Sequence, residues 1–163
     1  MEPSSPIETI QTLGKYTLFD KIGEGYLGSV FRGFDQDRGR AVAVRILCDG
    51  IKWEPIIEEV YSSHCRAVAG LRHENIASVL AFGKEGKHRY IVLESLGNST
   101  LKNLIAQKPN MTVEAKLSVM IQVAEGLNHA HKSGILHRCL EPTKIHVATG
   151  GKAKIRDFAI AGV

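Results

Sequence analysis

Short apolar runs separated by turn residues fill the first half of the chain. The segments "KYTLFDKIGEG", "GSVFRGFDQ" and "RAVAVRIL" are rich in β-branched and aromatic residues, with glycine and aspartate around them. This pattern is typical of an antiparallel meander of three strands. Two similar runs, "IASVLAFGKEG" and "HRYIVLES", extend it. The pattern therefore predicts five strands that end near Ser95.

A helical pattern lies between the third and fourth predicted strands. The segment "WEPIIEEVYSSHCRAVAGL" carries Pro55 near its start, where a helix tolerates proline, and it ends near Gly70. Its apolar residues recur at helical spacing: Ile57, Val60, Tyr61 and Val68. We therefore expect one helix within the strand region.

The second half of the chain is mainly helical in its periodicity. A short segment, "LKNLIAQK", precedes a longer one in which Thr112 and Glu114 suit a helix N-terminus. The longer segment, residues 112–131, is apolar on more than one stripe, which predicts a buried helix. Its apolar residues include Val113, Leu117, Val119, Met120, Ile121, Val123, Ala124 and Leu127. Two short strands are expected around the turn at Gly150 and Gly151.

Composition narrows the class of protein. The chain has 163 residues, 44% of them hydrophobic, and this is enough for one domain with a core. The net charge of +4 comes from scattered Lys and Arg, which argues against a nucleic-acid partner. No apolar run approaches the roughly 18 residues that a membrane-spanning helix needs, and the N-terminus lacks a signal-peptide layout, so we expect a cytoplasmic protein with no membrane partner. The cysteines, Cys48, Cys65 and Cys139, are expected to be reduced thiols.

The chain divides into three regions. Residues 1–13 are rich in Ser, Pro, Glu and Thr and lack sustained periodicity, which predicts a disordered lead-in. Residues 14–95 contain the predicted strands and their helix. Residues 96–163 contain the later helices and the final two strands.

A glycine-rich motif joins the first two strands. Gly23, Gly25, Gly28 and Val30 fit the pattern G-x-G-x-x-G-x-V. Glycine lets the main chain lie close to phosphate groups, because a Cβ atom would collide with them. A dinucleotide-binding fingerprint has similar letters but needs a following helix, and here a strand follows. Three further motifs come later in the chain: Val42-Ala43-Val44-Arg45, His137-Arg138-Cys139 and Asp157-Phe158-Ala159.

With these four motifs in this order, the chain resembles the eukaryotic-type protein kinase family, in the style of bacterial serine/threonine kinases, from about Lys15 onward. The resemblance implies an α+β fold. Residues 14–95 would form an N-lobe with a five-stranded antiparallel sheet and one helix. Residues 96–163 would form the hinge and the first part of a helical C-lobe, truncated before the activation segment. ATP and Mg²⁺ are the cofactors of this family.

Two departures from the family pattern affect its phosphate-binding ion pair. The Lys of the third strand is Arg45, which keeps the charge but is bulkier and forked. The partner Glu on the helix corresponds to His64, so the usual ion pair cannot form. Two substitutes stay open: a Glu from a shifted register, Glu58 or Glu59, or a direct pair between Arg45 and Asp157.

The catalytic loop departs further. The family pattern H-R-D-L-x-x-x-N supplies a proton-accepting Asp and a metal-binding Asn, and here these positions hold Cys139 and Lys144. A thiol is a weak acceptor beside a carboxylate, and an ammonium repels a metal ion. Glu141 replaces a Lys that lies near the γ-phosphate in the Ser/Thr kinases. No residue is therefore assigned as catalytic, and the degenerate positions are Arg45, His64, Cys139, Glu141 and Lys144.

Other family positions are retained. Asp157 is the one metal ligand that the resemblance implies, with Mg²⁺ binding expected to be weak or absent; Ala159 replaces the usual Gly. Val68, Val79, His137 and Phe158 match the hydrophobic stack of the family. The implied nucleotide-binding set is Ile22, Gly23, Gly25, Gly28, Val30, Ala43, Arg45, Leu93, Glu94, Leu96, His146 and Asp157. His146 replaces a Leu under the base, so it could stack on adenine or fill the pocket.

These departures favour a truncated pseudokinase, a catalytically impaired domain with a regulatory or scaffolding role and weak ATP binding. One alternative is a divergent Ser/Thr kinase that needs C-terminal parts missing from this chain. Another is a decayed, non-functional kinase fragment. In the family, later helices cover the apolar helix at residues 112–131, so we expect a protein partner or a second copy to cover it here.

Overall fold

The computed structural model describes residues 12–25, 28–50, 52–107 and 110–158. It divides into two compact units. The first covers the chain up to residue 50 together with residues 82–95, and the second covers residues 51–81 and 96–163. Residues 55–69, the helix that the sequence pattern predicts within residues 14–95, belong to the second unit.

Six strands form one sheet. They are β1 (Thr12–Leu13), β2 (Tyr16–Gly25), β3 (Gly28–Asp35), β4 (Arg40–Leu47), β5 (Val79–Glu85) and β6 (His88–Glu94). Their order is β1-β2-β3-β4-β6-β5, and β1 with β2, β2 with β3, β3 with β4 and β4 with β6 pair antiparallel. The five predicted strands are all present, in an α+β kinase-like arrangement.

The sheet has one strand more than the sequence pattern predicts. Strand β1 falls within the segment 1–13, for which we expected disorder. Its two residues pair with Tyr16 and Thr17 of β2, and Leu13 is only 2% exposed. Two residues are too few to display a period, so main-chain pairing of this length leaves no pattern in the sequence. Residues 1–11 lie outside the described part of the chain.

Strands β4 and β6 form the apolar centre of the sheet. Val44 and Val92 lie opposite each other in the register of these strands, and both are fully buried. Val42 and Ile91 are also fully buried. Directly opposed side chains of this kind are the main source of stability in a sheet.

Three helices belong to the second unit: α1 (Pro55–Ala69), α2 (Leu101–Gln107) and α3 (Val113–Lys132). Helix α1 starts at Pro55, as predicted, and the N–H of Gly70 bonds to the last turn. Thr112 caps α3, because its hydroxyl accepts a hydrogen bond of 3.2 Å from the N–H of Ala115. The predicted bounds of all three helices are confirmed to within about two residues.

The buried faces of α1 and α3 are narrower than their apolar patterns suggest. In α1 the buried residues are Tyr61, Cys65 and Val68, while Val60 is 55% exposed. In α3 the buried residues are Val119, Val123, Gly126 and Ala130. The expectation that α3 is buried on most sides is therefore wrong for this chain, because four of its large apolar side chains are exposed: Val113, Leu117, Met120 and Ile121.

A short hairpin follows α3. A 3-10 turn (Pro142–Lys144) leads into β7 (Ile145–Val147), which pairs antiparallel with β8 (Ala153–Ile155). Asn75 fixes this hairpin, since its Nδ2 donates to the main-chain oxygen of Ala153 at 2.9 Å and to Oε1 of Gln122 on α3 at 3.1 Å. The residues just outside the hairpin, on which the candidate chemistry depends, are thereby held in place.

None of the helices in the described ranges is long and apolar enough to cross a membrane. The three cysteines are all free thiols.

Candidate functional site

The glycine-rich motif forms the turn end of the β2–β3 ribbon. Gly25 pairs with Gly28, and Gly23 pairs with Val30. Gly28 has φ +129°, and a Cβ atom built on it would lie 2.0 Å from the main-chain oxygen of Ile46. Glycine is required there by the neighbouring strand itself, before any phosphate is considered. Tyr26 and Leu27, between these glycines in the sequence, lie outside the described residues.

Arg45 lies beneath this ribbon. It is on β4, only 7% exposed, and opposite Val30 of β3. A Cβ atom built on Gly25 would lie 3.7 Å from Nη1 of Arg45. The longer arginine side chain therefore reaches the glycine-rich ribbon itself. In the family a lysine occupies this strand position and contacts the phosphate groups of ATP.

Several residues that the resemblance matches to an adenine-binding wall lie on strands of the first unit. In the first unit Ala43 lies opposite Leu93, and Val42 lies opposite Glu94, in the pairing of β4 with β6. Leu93 is 8% exposed and Ile22 is 41% exposed. In the second unit, Leu96 is half-buried.

His146, the position matched to the floor under the base, is 7% exposed. It bridges Thr100 through the main chain, and a Cβ atom on Gly97 would lie 3.6 Å from its Cε1 atom. Its imidazole is thus packed against the segment that follows the predicted hinge. This placement favours a packing role over an open stacking surface.

The catalytic-loop scaffold is well formed. His137 is 2% exposed, and its Nε2 donates a hydrogen bond of 2.8 Å to the main-chain oxygen of Arg156. Its ring contacts the ring of Phe158 edge-on, with centroids 4.7 Å apart. Val68 and Val79 of the matched hydrophobic stack are also almost fully buried, at 1% and 3% exposure. The packing residues of the family motif therefore retain packing roles.

Cys139 occupies the position of the proton acceptor on this scaffold. It is exposed, and its main-chain N–H donates to the oxygen of His137 at 2.8 Å. Arg138, between them, has φ +61°, which holds the loop in a tight bend. Glu141 is exposed as well, and its carboxylate accepts a hydrogen bond from the hydroxyl of Thr143. The loop thus presents a thiol where the family presents a carboxylate.

Lys144 and Asp157 form an ion pair that the sequence did not reveal. Nζ of Lys144 lies 2.8 Å from Oδ2 of Asp157, and the two side chains are 27% and 12% exposed. The main-chain N–H of Arg156 donates to the oxygen of Lys144 at 2.8 Å, so the hairpin positions both partners. The signal for this contact was present in the sequence, because a hairpin that pairs Ile145 with Ile155 brings the residues at its two ends together.

Asp157 and Phe158 form the Asp-Phe motif. Lys144 contacts its Asp side chain, and His64, the position matched to the helix Glu, contacts its main chain at Phe158. Nε2 of His64 lies 3.0 Å from the main-chain oxygen of Phe158. A carbonyl oxygen only accepts, so Nε2 carries the proton. Glu59, one of the substitutes left open, is exposed on α1, and Glu58 is half-buried. Asp157 and Phe158 are therefore both tied to side chains of the second unit. Ala159 lies outside the described residues.

Comparison with known proteins agrees with this architecture. The model of the protein kinase domain family matches residues 16–163. A probable serine/threonine-protein kinase of Clostridium perfringens is 37% identical over 147 residues, which cover 90% of this chain and 22% of that protein. Serine/threonine-protein kinase PknA of Mycobacterium tuberculosis is 31% identical, over 96% of this chain and 38% of its own length. The chain therefore spans less than half the length of these relatives.

Solved structures show the same fold. The kinase domain of PknI from Mycobacterium tuberculosis has a TM-score of 0.79 at 20% identity, covering 96% of this chain and 64% of that one. A Rad53 fragment in complex with AMP-PNP has a TM-score of 0.78 at 20% identity, covering 88% of this chain and 38% of that one. On the family match over residues 16–163 and this shared architecture, the chain belongs to the protein kinase family.

Proposed function

We propose that this chain is a non-catalytic kinase domain, a pseudokinase that acts in the cytoplasm as a regulatory or scaffolding module. The observation that carries the proposal is Cys139, an exposed thiol at the acid position of a loop whose supporting contacts are intact. Phosphoryl transfer depends on positioned charges and on an acid that orients the attacking hydroxyl. A thiol supplies neither the negative charge nor the acceptor strength of a carboxylate.

Two further features support the same proposal. Arg45 reaches the glycine-rich ribbon, and Lys144 places an ammonium on Asp157. Each of these changes affects a different part of the transfer machinery. Because these parts act as a unit, restoring one of them does not restore transfer. The packing contacts of His137 and Phe158, by contrast, are retained.

The experiment is phosphoryl transfer from γ-labelled ATP to a generic protein substrate and to the chain itself. We expect no transfer above background. The matched control is Asp157→Ala, since transfer that disappears in this variant would refute the pseudokinase proposal. A second variant, Cys139→Asp, restores the missing acid, and it is expected to remain inactive because the other departures persist.

A divergent serine/threonine kinase is the second candidate function. The named relatives in Clostridium perfringens and Mycobacterium tuberculosis are serine/threonine kinases, and Asp157 with Phe158 is retained. Under this alternative, transfer would appear in the same assay when the chain is part of a longer protein. Under the third alternative, a decayed fragment, the chain would neither transfer phosphate nor bind nucleotide or protein.

Weak ATP binding is part of the proposal. The glycine-rich ribbon and the buried Leu93 support it, whereas the guanidinium of Arg45 beneath Gly25 opposes tight binding. Thermal-shift measurements with ATP, with and without Mg²⁺, test this point. A rise of the melting temperature at millimolar ATP supports a nucleotide site, and its absence excludes a useful one.

We also propose that a protein partner or a second copy of the chain covers the exposed side of α3. Val113, Leu117 and Ile121 are 64%, 56% and 56% exposed, which is unusual for large apolar side chains on one helix. Size-exclusion chromatography with light scattering tests for self-association. The variant Leu117→Lys should weaken any assembly, with Lys116→Ala as the matched control, whereas a soluble monomer at high concentration would argue against a second copy.

A further inference from the structure

The Asp-Phe motif carries its own counter-ion. The Lys144 ammonium lies 2.8 Å from Oδ2 of Asp157, in a position that the family assigns to the amide of an Asn. The Asp157 carboxylate is only 12% exposed, so its contact with Lys144 is shielded from most solvent screening. An ammonium has three donors and no acceptor, and it therefore cannot serve as a metal ligand.

The main chain holds Lys144 in this position. Its N–H donates to the oxygen of Glu141 at 2.8 Å, and its oxygen accepts from the N–H of Arg156 at 2.8 Å. These two bonds fix the Cα atom of Lys144 at the end of the β7–β8 hairpin, beside Asp157. The main chain therefore places the Lys144 side chain within reach of the Asp157 carboxylate.

Arg156, the residue directly before Asp157, is a second cation at this hairpin. Nη2 of Arg156 donates to the main-chain oxygen of Thr143 at 2.9 Å, which places this guanidinium at the base of the hairpin. Lys144, Arg156 and Asp157 together give the segment a net positive charge. The described residues contain no group of three or more His, Cys, Asp or Glu side chains that could hold a metal, so a divalent ion here would depend on the Asp157 carboxylate together with oxygen ligands from elsewhere. Mg²⁺ requires near-ideal octahedral oxygen ligation.

We infer that Lys144 substitutes for the divalent cation at Asp157, so that the site excludes Mg²⁺ and Mn²⁺ and keeps its geometry without them. The inference rests on the proposed function, because it describes the same degenerate site. It adds a specific physical cause: exclusion arises from one side chain, and removal of that side chain should create a metal site.

Mn²⁺ titration followed by electron paramagnetic resonance tests the inference on the full 163-residue chain. Wild type and Asp157→Asn should give indistinguishable titrations up to millimolar Mn²⁺. The variant Lys144→Asp places two carboxylates at the hairpin ends and should bind Mn²⁺ at least about tenfold more tightly than wild type. The further change Asp157→Asn in that variant should remove the gain.

A matched variant separates repulsion from ligand supply. Lys144→Met removes the charge without adding an oxygen ligand, so its Mn²⁺ affinity should fall between those of wild type and Lys144→Asp. Circular dichroism checks folding of each variant, and the comparison of wild type with Asp157→Asn does not require any Lys144 variant to fold.

Two results would overturn the inference. One is a wild-type Mn²⁺ site that Asp157→Asn abolishes, and the other is a folded Lys144→Asp variant with no gain in Mn²⁺ affinity. These results are independent of the transfer assay. Wild-type phosphoryl transfer without bound divalent metal would refute the proposed function alone, whereas Mn²⁺ bound at Asp157 without transfer would refute this inference alone.

Discussion

His64 on helix α1 donates a hydrogen bond from Nε2 to the main-chain oxygen of Phe158, across 3.0 Å. The family uses this helix position for a carboxylate that pairs with a lysine. In this chain the same position binds the backbone of the Asp-Phe motif directly. A hydrogen bond thus connects this position of α1 to the Asp-Phe motif, whereas the ion pair of the family connects it to the strand lysine.

Replacement of His64 should loosen this connection. His64→Ala leaves the carbonyl of the buried Phe158 without this donor, and we expect a loss of about 1 kcal/mol in the free energy of unfolding. His64→Glu should cost more, because a carboxylate would then face a carbonyl oxygen. Urea denaturation measures both losses. Ser63→Ala, at an exposed position one residue earlier, is the matched control and should change stability by less than about 0.5 kcal/mol. Equal stability of His64→Ala and wild type would contradict the role of this bond.

The Lys144–Asp157 pair should contribute more to stability than an exposed pair in the same unit. Lys144→Met leaves a carboxylate of 12% exposure without its ammonium, and we expect a loss of about 1 to 3 kcal/mol. Lys152 and Glu74 form the matched pair: they lie 3.1 Å apart at 57% and 69% exposure. Lys152→Met should therefore cost less than about 0.5 kcal/mol. Similar losses in the two variants, measured by urea denaturation, would show that burial does not strengthen the Lys144 pair.

Gly28 should tolerate no side chain. Gly28→Ala brings a methyl group within 2.0 Å of the Ile46 oxygen at φ +129°, so we expect a loss above about 3 kcal/mol or failure to fold. Gly39→Ala is the control, since it has a positive φ of +59° but no atom within 4 Å of the added group. It should cost only about 1 to 2 kcal/mol. Thermal denaturation of both variants would decide, and a stable Gly28→Ala protein would mean that the β3–β4 pair can separate.

Stability at acid pH should depend on Asp35. Its carboxylate is almost fully buried, accepts the N–H of Arg38 at 3.3 Å and lies 3.5 Å from the Lys15 ammonium. Burial alone would raise the pKa of Asp35, but these two partners outweigh it and lower the pKa below the ordinary value.

The lowered pKa of Asp35 predicts that the protein loses stability in acid. Since the folded pKa is the lower one, the stabilisation is fully present above the unfolded value of about 3.9 and is lost as the pH falls through the folded value. Asp35→Asn should lower stability at neutral pH and flatten its decline in acid. Urea midpoints between about pH 7 and pH 2.5 measure this, and an unchanged acid slope in the variant would contradict the assignment.

Local signals in the sequence were sufficient for most of the fold. Pro55 and Thr112 mark the starts of two helices, and short runs of β-branched and aromatic residues between turn residues predicted strands β2 to β6. Strand β1 was missed because a pair of residues has no period. The apolar pattern of α1 included both Val60 and Tyr61, but only Tyr61 is buried, because tertiary packing selects between neighbouring apolar side chains.

The family motifs indicate which residues to consider at the candidate site, but they do not give the contacts that these residues make. The family motifs located Lys144, His64 and Asp157, yet their partners depend on distances that no spacing rule gives for helix α1. His64 and Phe158 are separated by 94 residues, so their hydrogen bond could be found only in three dimensions. Lys144 and Asp157 are an exception, because both lie just outside a short hairpin.

The close approach of Gly28 to strand β4 affects how glycine motifs are used as evidence. A related chain that does not bind phosphate would still need this glycine, because a Cβ atom at the position would collide with strand β4. A match to the glycine motif therefore does not by itself indicate nucleotide binding. The residue at the position of Arg45 is the more informative one.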